Sequence, residues 1–318
     1  MIRVAVLDDY QQVAERMADW TSLPEGTEVI FFHDHLAELD ALVARLSDFD
    51  VVVAMRERTP FPRTLLSRLQ RLRLLVTTGM RNAAIDLEAA AELGITVTGT
   101  EGTGTSTAEL TWALILALLR HVPEEDAAIR AGGWQHTLGV DLAGRTLGVI
   151  GLGRIGRQVA AVGRAFGMEV TAWSQHLTEE AAQAAGVRRL GKLELLAGAD
   201  VVTVHLVLSD RTRGLIGAAE LEAMKPTAYL VNTSRGPIVD EQALISALRS
   251  GRIAGAALDV YDIEPLPQDH PLRTTPNTVL TPHLGYVTEA GYRVFYGQAV
   301  EDIIAFLAGT PIRVLAGG

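Results

Sequence analysis

The 318-residue chain contains no cysteine. Disulfides, thiolate metal sites and cysteine nucleophiles are therefore excluded. Positive charge is in short supply: 28 Lys and Arg stand against 38 Asp and Glu, a net −10. That balance argues against nucleic acid or an anionic membrane as partner, so any anion site must be local. Long apolar runs are missing as well. The longest apolar helical stretch, Leu110 to Leu119, falls far short of the roughly 20 residues a membrane span needs. Met1 to Leu7 reads as a strand without a signal-peptide cleavage site, and cytoplasmic residence is the expectation. No internal repeat, low-complexity run or heptad pattern is visible. His33 and His35 lack a third ligand at metal spacing. Ser234 lacks a G-x-S-x-G elbow, which removes a hydrolase triad.

What remains is an ordinary globular composition, 48% hydrophobic and 21% charged, with material for about two domains. Short apolar runs alternate with helical patterns from the start. Strands are expected at Ile2 to Leu7, Thr27 to Phe32, Val51 to Ala54, Leu74 to Thr78 and Ile95 to Val97. Helices are expected at Tyr10 to Trp20, Leu36 to Leu46, Leu65 to Leu72 and Asp86 to Leu93. This is a parallel-sheet unit. Asp8 and Asp9 at its first strand end read as capping residues. The flexible Gly99 to Thr107 stretch leads into a long helix, Ala108 to Arg120, and marks a crossover into a second unit.

The second unit is organised around Thr146-Leu-Gly-Val-Ile-Gly-Leu-Gly-Arg-Ile-Gly156. Its apolar residues read as a buried strand that turns into a helix. Gly151, Gly153 and Gly156 fit G-x-G-x-x-G. The first permits the turn, the second lets a pyrophosphate approach, and the third lets the helix pack on the strand. With Arg154 and Ile155, they start a helix whose amino end attracts phosphate. Further strands at Val170 to Trp173, Val201 to Val204, Ala228 to Asn232, Gly255 to Leu258 and Thr278 to Leu280 complete a doubly wound dinucleotide fold. Helix Glu289 to Leu307 returns to the first unit. The expected division is residues 1–100 plus 286–318 for one domain and 101–285 for the other, with a cleft between them.

Three strand ends carry reactive groups. Arg235 follows one strand in Asn232-Thr-Ser-Arg-Gly236, and its guanidinium can hold a carboxylate and polarise a carbonyl. Asp259 and Glu264 follow the next. His283 follows the third, where it can give a proton to a nascent alkoxide. Glu264 would orient its ring and favour its charged form. Open α/β sheets assemble sites at such strand ends. His205 also ends a strand and is a candidate cofactor contact. In the first unit, the Thr77 to Asn82 loop either binds a carboxylate through its backbone and Arg81 or is a plain turn with a solvated arginine.

These residues resemble the D-isomer-specific 2-hydroxyacid dehydrogenases. Leu142 to Gly156 matches that family's glycine motif, Val231 to Asp240 its arginine motif, Ala257 to Pro265 its glutamate motif and Leu280 to His283 its histidine motif. The resemblance implies two doubly wound α/β domains, a Rossmann cofactor domain inserted into a flavodoxin-like substrate domain. It implies reversible reduction of a 2-oxo acid by a nicotinamide hydride. Arg235 becomes the substrate clamp, His283 the proton donor, Glu264 its partner and Asp259 a holder of the nicotinamide carboxamide. Thr107 resembles a cofactor-contacting threonine. Gly79, Met80 and Arg81 match the carboxylate-binding turn, and Arg56 a substrate-domain loop. The helix from Ala108 and the loop after it resemble the family's dimer arm, which makes a homodimer the expectation.

Two departures stand out. The substrate turn reads Gly79-Met-Arg81 where Gly-x-Gly is usual, which suits a small or doubly acidic substrate. Past the second strand, Ser174-Gln175-His176 holds no carboxylate for a ribose 2′-OH. All three can donate to a 2′-phosphate, although no arginine stands next to them. The expectation leans to NADP over NAD. The substrates expected are small 2-oxo acids such as glyoxylate, hydroxypyruvate or pyruvate. Competing readings are a reductase of imines formed from 2-oxo acids and amines, and a nucleotide-sensing, corepressor-like interaction protein.

Overall fold

Short β-branched runs build the first sheet of the computed structural model, which describes residues 1–315. The strands are β1 (Ile2–Val6), β2 (Thr27–Phe31), β3 (Val51–Ala54), β4 (Leu74–Thr77) and β5 (Thr96–Gly99). They pair in parallel in the order β2-β1-β3-β4-β5. Every residue of β3 and β4 is buried, as a sheet covered on both faces requires. Between them run α1 (Ala14–Met17), α2 (Leu39–Leu46), α3 (Arg63–Leu66) and α4 (Leu87–Glu92). Leu46, Phe61, Leu65, Leu66 and Leu75 fill one side of this core.

The second unit opens with α5 (Ser106–Leu119) and α6 (Val122–Arg130). Its strands are β6 (Thr146–Ile150), β7 (Glu169–Trp173), β8 (Arg188–Arg189), β9 (Val201–Val204), β10 (Tyr229–Asn232), β11 (Gly255–Leu258) and β12 (Thr278–Leu280). The connecting helices are α7 (Arg154–Ala165), α8 (Glu179–Ala184), α9 (Lys192–Gly198), α10 (Ala218–Ala223) and α11 (Glu241–Arg249). All seven strands are parallel, in the order β12-β11-β10-β9-β6-β7-β8. The order reverses at β6 and β9, the switch point where such sheets bind ligands.

The chain divides into residues 1–103 together with the segment from Val287 onward, and Gly104–Tyr286. In the first unit, α12 (Glu289–Leu307) packs on α1 and β4 and buries Tyr292, Phe295, Tyr296 and Ile303. The chain then returns to β5. Arg313 O accepts from Gly99 N, Leu315 N donates to Val97 O, and Arg313 Nε donates to the fully buried Asp302.

Three local expectations change. Between Tyr10 and Trp20 only Ala14–Met17 is helical. The Asp9 carboxylate accepts from the amides of Val13 and Ala14, and Gln12 has a left-handed φ of 54°, so the helix starts late. The Leu65 to Leu72 helix is a single turn at Arg63–Leu66 followed by further turns. Strand β8 was not anticipated, because two exposed arginines carry no apolar signal.

Candidate active site

The glycine turn between β6 and α7 has the form that a bound phosphate requires. Gly151 sits at φ +101°, and a Cβ there would strike the carbonyl of His205. A Cβ on Gly156 would strike the carbonyl of Gly151, so only glycine lets α7 lie this close to the strand end. Gly153 differs: a Cβ there would meet nothing within 4 Å. Its side faces open space at the amino end of α7, which no side chain caps. Free N–H groups and the helix dipole leave that space suited to an anion.

Other cofactor candidates surround the turn. The Ser174 hydroxyl, just past β7, accepts from Leu152 N at 2.9 Å. Gln175 and His176 beside it are exposed. His205, just past β9, pairs its Nε2 with Thr203 Oγ1 at 2.9 Å, while its buried Nδ1 has no hydrogen-bond partner among the described residues. Burial pushes this ring down from 6.5 to about 3, so it is neutral. A buried, unpartnered nitrogen beside an open glycine cradle fits a dinucleotide.

The ends of β10, β11 and β12 are neighbours in the sheet. At β10, Asn232 builds the turn that carries Arg235. Its Oδ1 accepts from Ser234 N at 3.0 Å and its Nδ2 donates to Arg235 O at 2.9 Å. Ser234 Oγ ties the turn to Val204 O at 2.8 Å. The half-buried Arg235 donates Nη1 to Ser234 O at 2.8 Å. A Cβ on Gly236 would collide with the backbone of Tyr261 and Asp262, so this glycine lets the glutamate loop pass.

Glu264 bridges that loop to His283. Its Oε1 accepts from Tyr261 N at 2.9 Å, and its Oε2 lies 2.6 Å from His283 Nδ1. His283 has a left-handed φ of 55°, a conformation a non-glycine residue holds only when its surroundings enforce it. The fully buried Asp259 supplies that enforcement. Its oxygens accept from Thr281 Oγ1 (2.6 Å), Leu284 N (2.7 Å) and Gly285 N (2.9 Å), on both sides of the histidine. Burial raises the Asp259 carboxyl above the usual range, against these hydrogen bonds. Thr107 Oγ1 donates to Gly285 O at 2.9 Å, which ties the start of α5 to the same loop. Tyr286 stacks edge-on against the His283 ring at 5.3 Å.

Arg56, Gly79, Met80 and Arg81 belong to the other unit, where they cluster past the ends of β3 and β4. Arg56, at φ 52°, donates its backbone N to Thr78 Oγ1 and its Nη1 to Thr78 O. Its guanidinium occupies the position a Cβ on Gly79 would take. Gly79 N donates to Thr100 Oγ1 at 2.9 Å. That amide is already used, so an anion at this turn has to rely on later amides and on the arginines. Met80 and Arg81 are exposed.

Asn232 and Ser234 escaped the sequence reading. Their signal was an asparagine two residues before a serine at a strand end, the pattern of an Asx-turn.

Residues 112–285 match the model of the D-isomer-specific 2-hydroxyacid dehydrogenase NAD-binding domain. A glyoxylate reductase of Aeropyrum pernix is 45% identical over 255 residues, which is 77% of this chain and 76% of that protein. The chain belongs to the D-isomer-specific 2-hydroxyacid dehydrogenase family. Membership makes it an oxidoreductase that works with a nicotinamide dinucleotide. A D-3-phosphoglycerate dehydrogenase of Methanocaldococcus jannaschii is 38% identical across 85% of this chain. The chain spans only about half of that relative, 52% of its length. The crystal structure of a phosphoglycerate oxidoreductase from Vibrio cholerae superimposes with a TM-score of 0.93 at 39% identity, covering 97% of this chain and 100% of that one. Like other members of this dehydrogenase family, the chain has two parallel-sheet α/β units, with five- and seven-stranded sheets.

Proposed function

We propose that this dehydrogenase reduces a small 2-oxo acid of the glyoxylate, hydroxypyruvate or pyruvate type to the D-2-hydroxy acid, and reverses that reaction. The observation that carries this reading is the His283–Glu264 pair at 2.6 Å, formed past the ends of β12 and β11, with the turn of Arg235 past the end of β10, the strand next to β11. The bound cofactor supplies the hydride. The Arg235 fork holds the substrate carboxylate and polarises the carbonyl oxygen. With Nδ1 of His283 engaged by Glu264, Nε2 gives its proton to the forming alkoxide and takes it back in the reverse direction. Asp259, through Thr281, Leu284 and Gly285, keeps His283 in its left-handed conformation. That commitment of both oxygens leaves a contact to the nicotinamide carboxamide as a secondary role.

Gly151, Gly153, Arg154, Ile155 and Gly156 hold the pyrophosphate, with Thr107 and His205 as further cofactor contacts. Ser174, Gln175 and His176 favour NADP(H) over NAD(H), because each can donate to a phosphate. Arg56, Gly79, Met80 and Arg81 form the carboxylate-binding turn of the first unit. The protein assembles as a homodimer through α6 and the segment after it. There Val122, Ile129, Trp134 and Leu138 are 53%, 52%, 73% and 90% exposed, a grouping that suits an interface.

A panel of 2-oxo acids assayed with NADH and NADPH tests the reading. It includes glyoxylate, hydroxypyruvate, pyruvate and 3-phosphohydroxypyruvate, each with and without an amine. Turnover of the small unphosphorylated acids without amine is the expected result. Turnover confined to the phosphorylated acid, or to mixtures with amine, would replace this substrate assignment. Light scattering tests the dimer, and a monomer at micromolar concentration would refute it.

A further inference from the structure

Sheet topology brings an arginine to the edge of the proposed cofactor site that proximity in sequence does not reveal. Strand β8 pairs in parallel with β7, with Thr171 opposite Arg188 and Ala172 opposite Arg189. Leu190 N continues the ladder to Ala172 O at 3.0 Å. Paired residues of neighbouring strands share a face, and successive residues alternate. Arg189 therefore lies on the face of Ala172 and, two residues on, of Ser174. Arg188 lies on the opposite face. Strand spacing and rise put the Cα atoms of Arg189 and Ser174 about 8 Å apart, within reach of an extended arginine side chain. Both arginines are exposed, and neither side chain enters a hydrogen bond or ion pair among the described residues.

Ser174 contributes from its own side. Its oxygen already accepts from Leu152 N, so its proton remains available to an acceptor. An NAD site places a carboxylate here to accept from the ribose 2′-OH. In this chain the position offers a donor, and a phosphate offers only acceptors. The next carboxylates along the chain, Glu179 and Glu180, open α8, and Glu180 bonds back to Thr178.

We propose that Arg189, with Ser174, forms a 2′-phosphate site and sets the preference of this enzyme for NADP(H). The proposal rests on the reading of Gly151 to Gly156 as the dinucleotide cradle. Calorimetric titration of the purified protein with 2′,5′-ADP and with 5′-ADP tests it without any turnover. The wild type binds 2′,5′-ADP at least about tenfold tighter than 5′-ADP. Arg189→Ala removes that preference and leaves 5′-ADP binding unchanged. Arg188→Ala, on the other face, keeps it. Ser174→Asp can still accept from Leu152 N and shifts the preference to 5′-ADP. A wild type that binds 5′-ADP but does not discriminate refutes the NADP(H) preference itself. A wild type that binds neither ligand overturns the cradle reading. A wild type that discriminates, with Arg189→Ala discriminating equally, refutes only the role of Arg189. Equal losses in Arg188→Ala and Arg189→Ala overturn the assignment of faces.

Discussion

Gly153→Ala separates the folding role of the glycine turn from its binding role. The backbone at Gly153 has φ −81° and ψ −156°, which alanine adopts without strain. A Cβ there touches nothing within 4 Å. The folding cost is then confined to the helix start, where alanine caps less well than glycine by about 1 kcal/mol. Binding suffers more, because the methyl occupies space that a phosphate oxygen needs above the first amides of α7. Loss of one charge-assisted hydrogen bond costs about 1.5–3 kcal/mol, or roughly a 10- to 150-fold rise in Kd. Gly156→Ala behaves differently. Its Cβ meets the Gly151 carbonyl, which is backbone and cannot swing away. Overpacking of this kind costs about 1–3 kcal/mol of stability. Fluorescence titration with NADPH and NADH measures the affinity, and urea unfolding followed by circular dichroism measures the stability. Gly153→Ala should lose affinity at a stability cost of no more than about 1 kcal/mol, while Gly156→Ala loses affinity and up to about 3 kcal/mol of stability. A folded Gly153→Ala protein with wild-type affinity for both cofactors would show that no phosphate lies over this turn.

Three further outcomes are expected. His283→Ala lowers kcat by about 10²- to 10⁴-fold with cofactor Kd near wild type; retained turnover removes His283 from proton transfer. Arg235→Ala raises KM and lowers kcat together, because clamp and polariser are lost at once; a change in KM alone would leave it a binding residue only. Asp302, pushed up to about 6 by burial against the pull of Arg313, holds its proton more tightly in the folded state. Its contribution to stability is full below 3.8 and is lost as pH rises through about 6. Asp302→Asn should flatten urea-unfolding stability across that window, and an unchanged slope would place the titration elsewhere.

Much of this site was legible because its signals are local. A glycine at 151, 153 and 156 after a β-branched run speaks through a few consecutive residues. So do Arg235, Glu264 and His283 at the ends of apolar strands. Short helices were misjudged where a side chain competed with the pattern, as Asp9 does by taking the amides of Val13 and Ala14.

By itself, the amino-acid sequence determined the alternation of strands and helices, the glycine turn and the identity of the groups past each strand end. These depend on side-chain periodicity and backbone freedom over short spans. Tertiary structure decided which of those ends are neighbours, because sheet order joins residues remote in the chain. It made β10, β11 and β12 adjacent, turned Asp259 into the brace of the His283 loop, and buried His205 until its ring is neutral. It also set Arg189 one strand away from Ser174. Two arginines in a row carry no hydrophobic signal, so only their pairing with β7 shows that they form a strand.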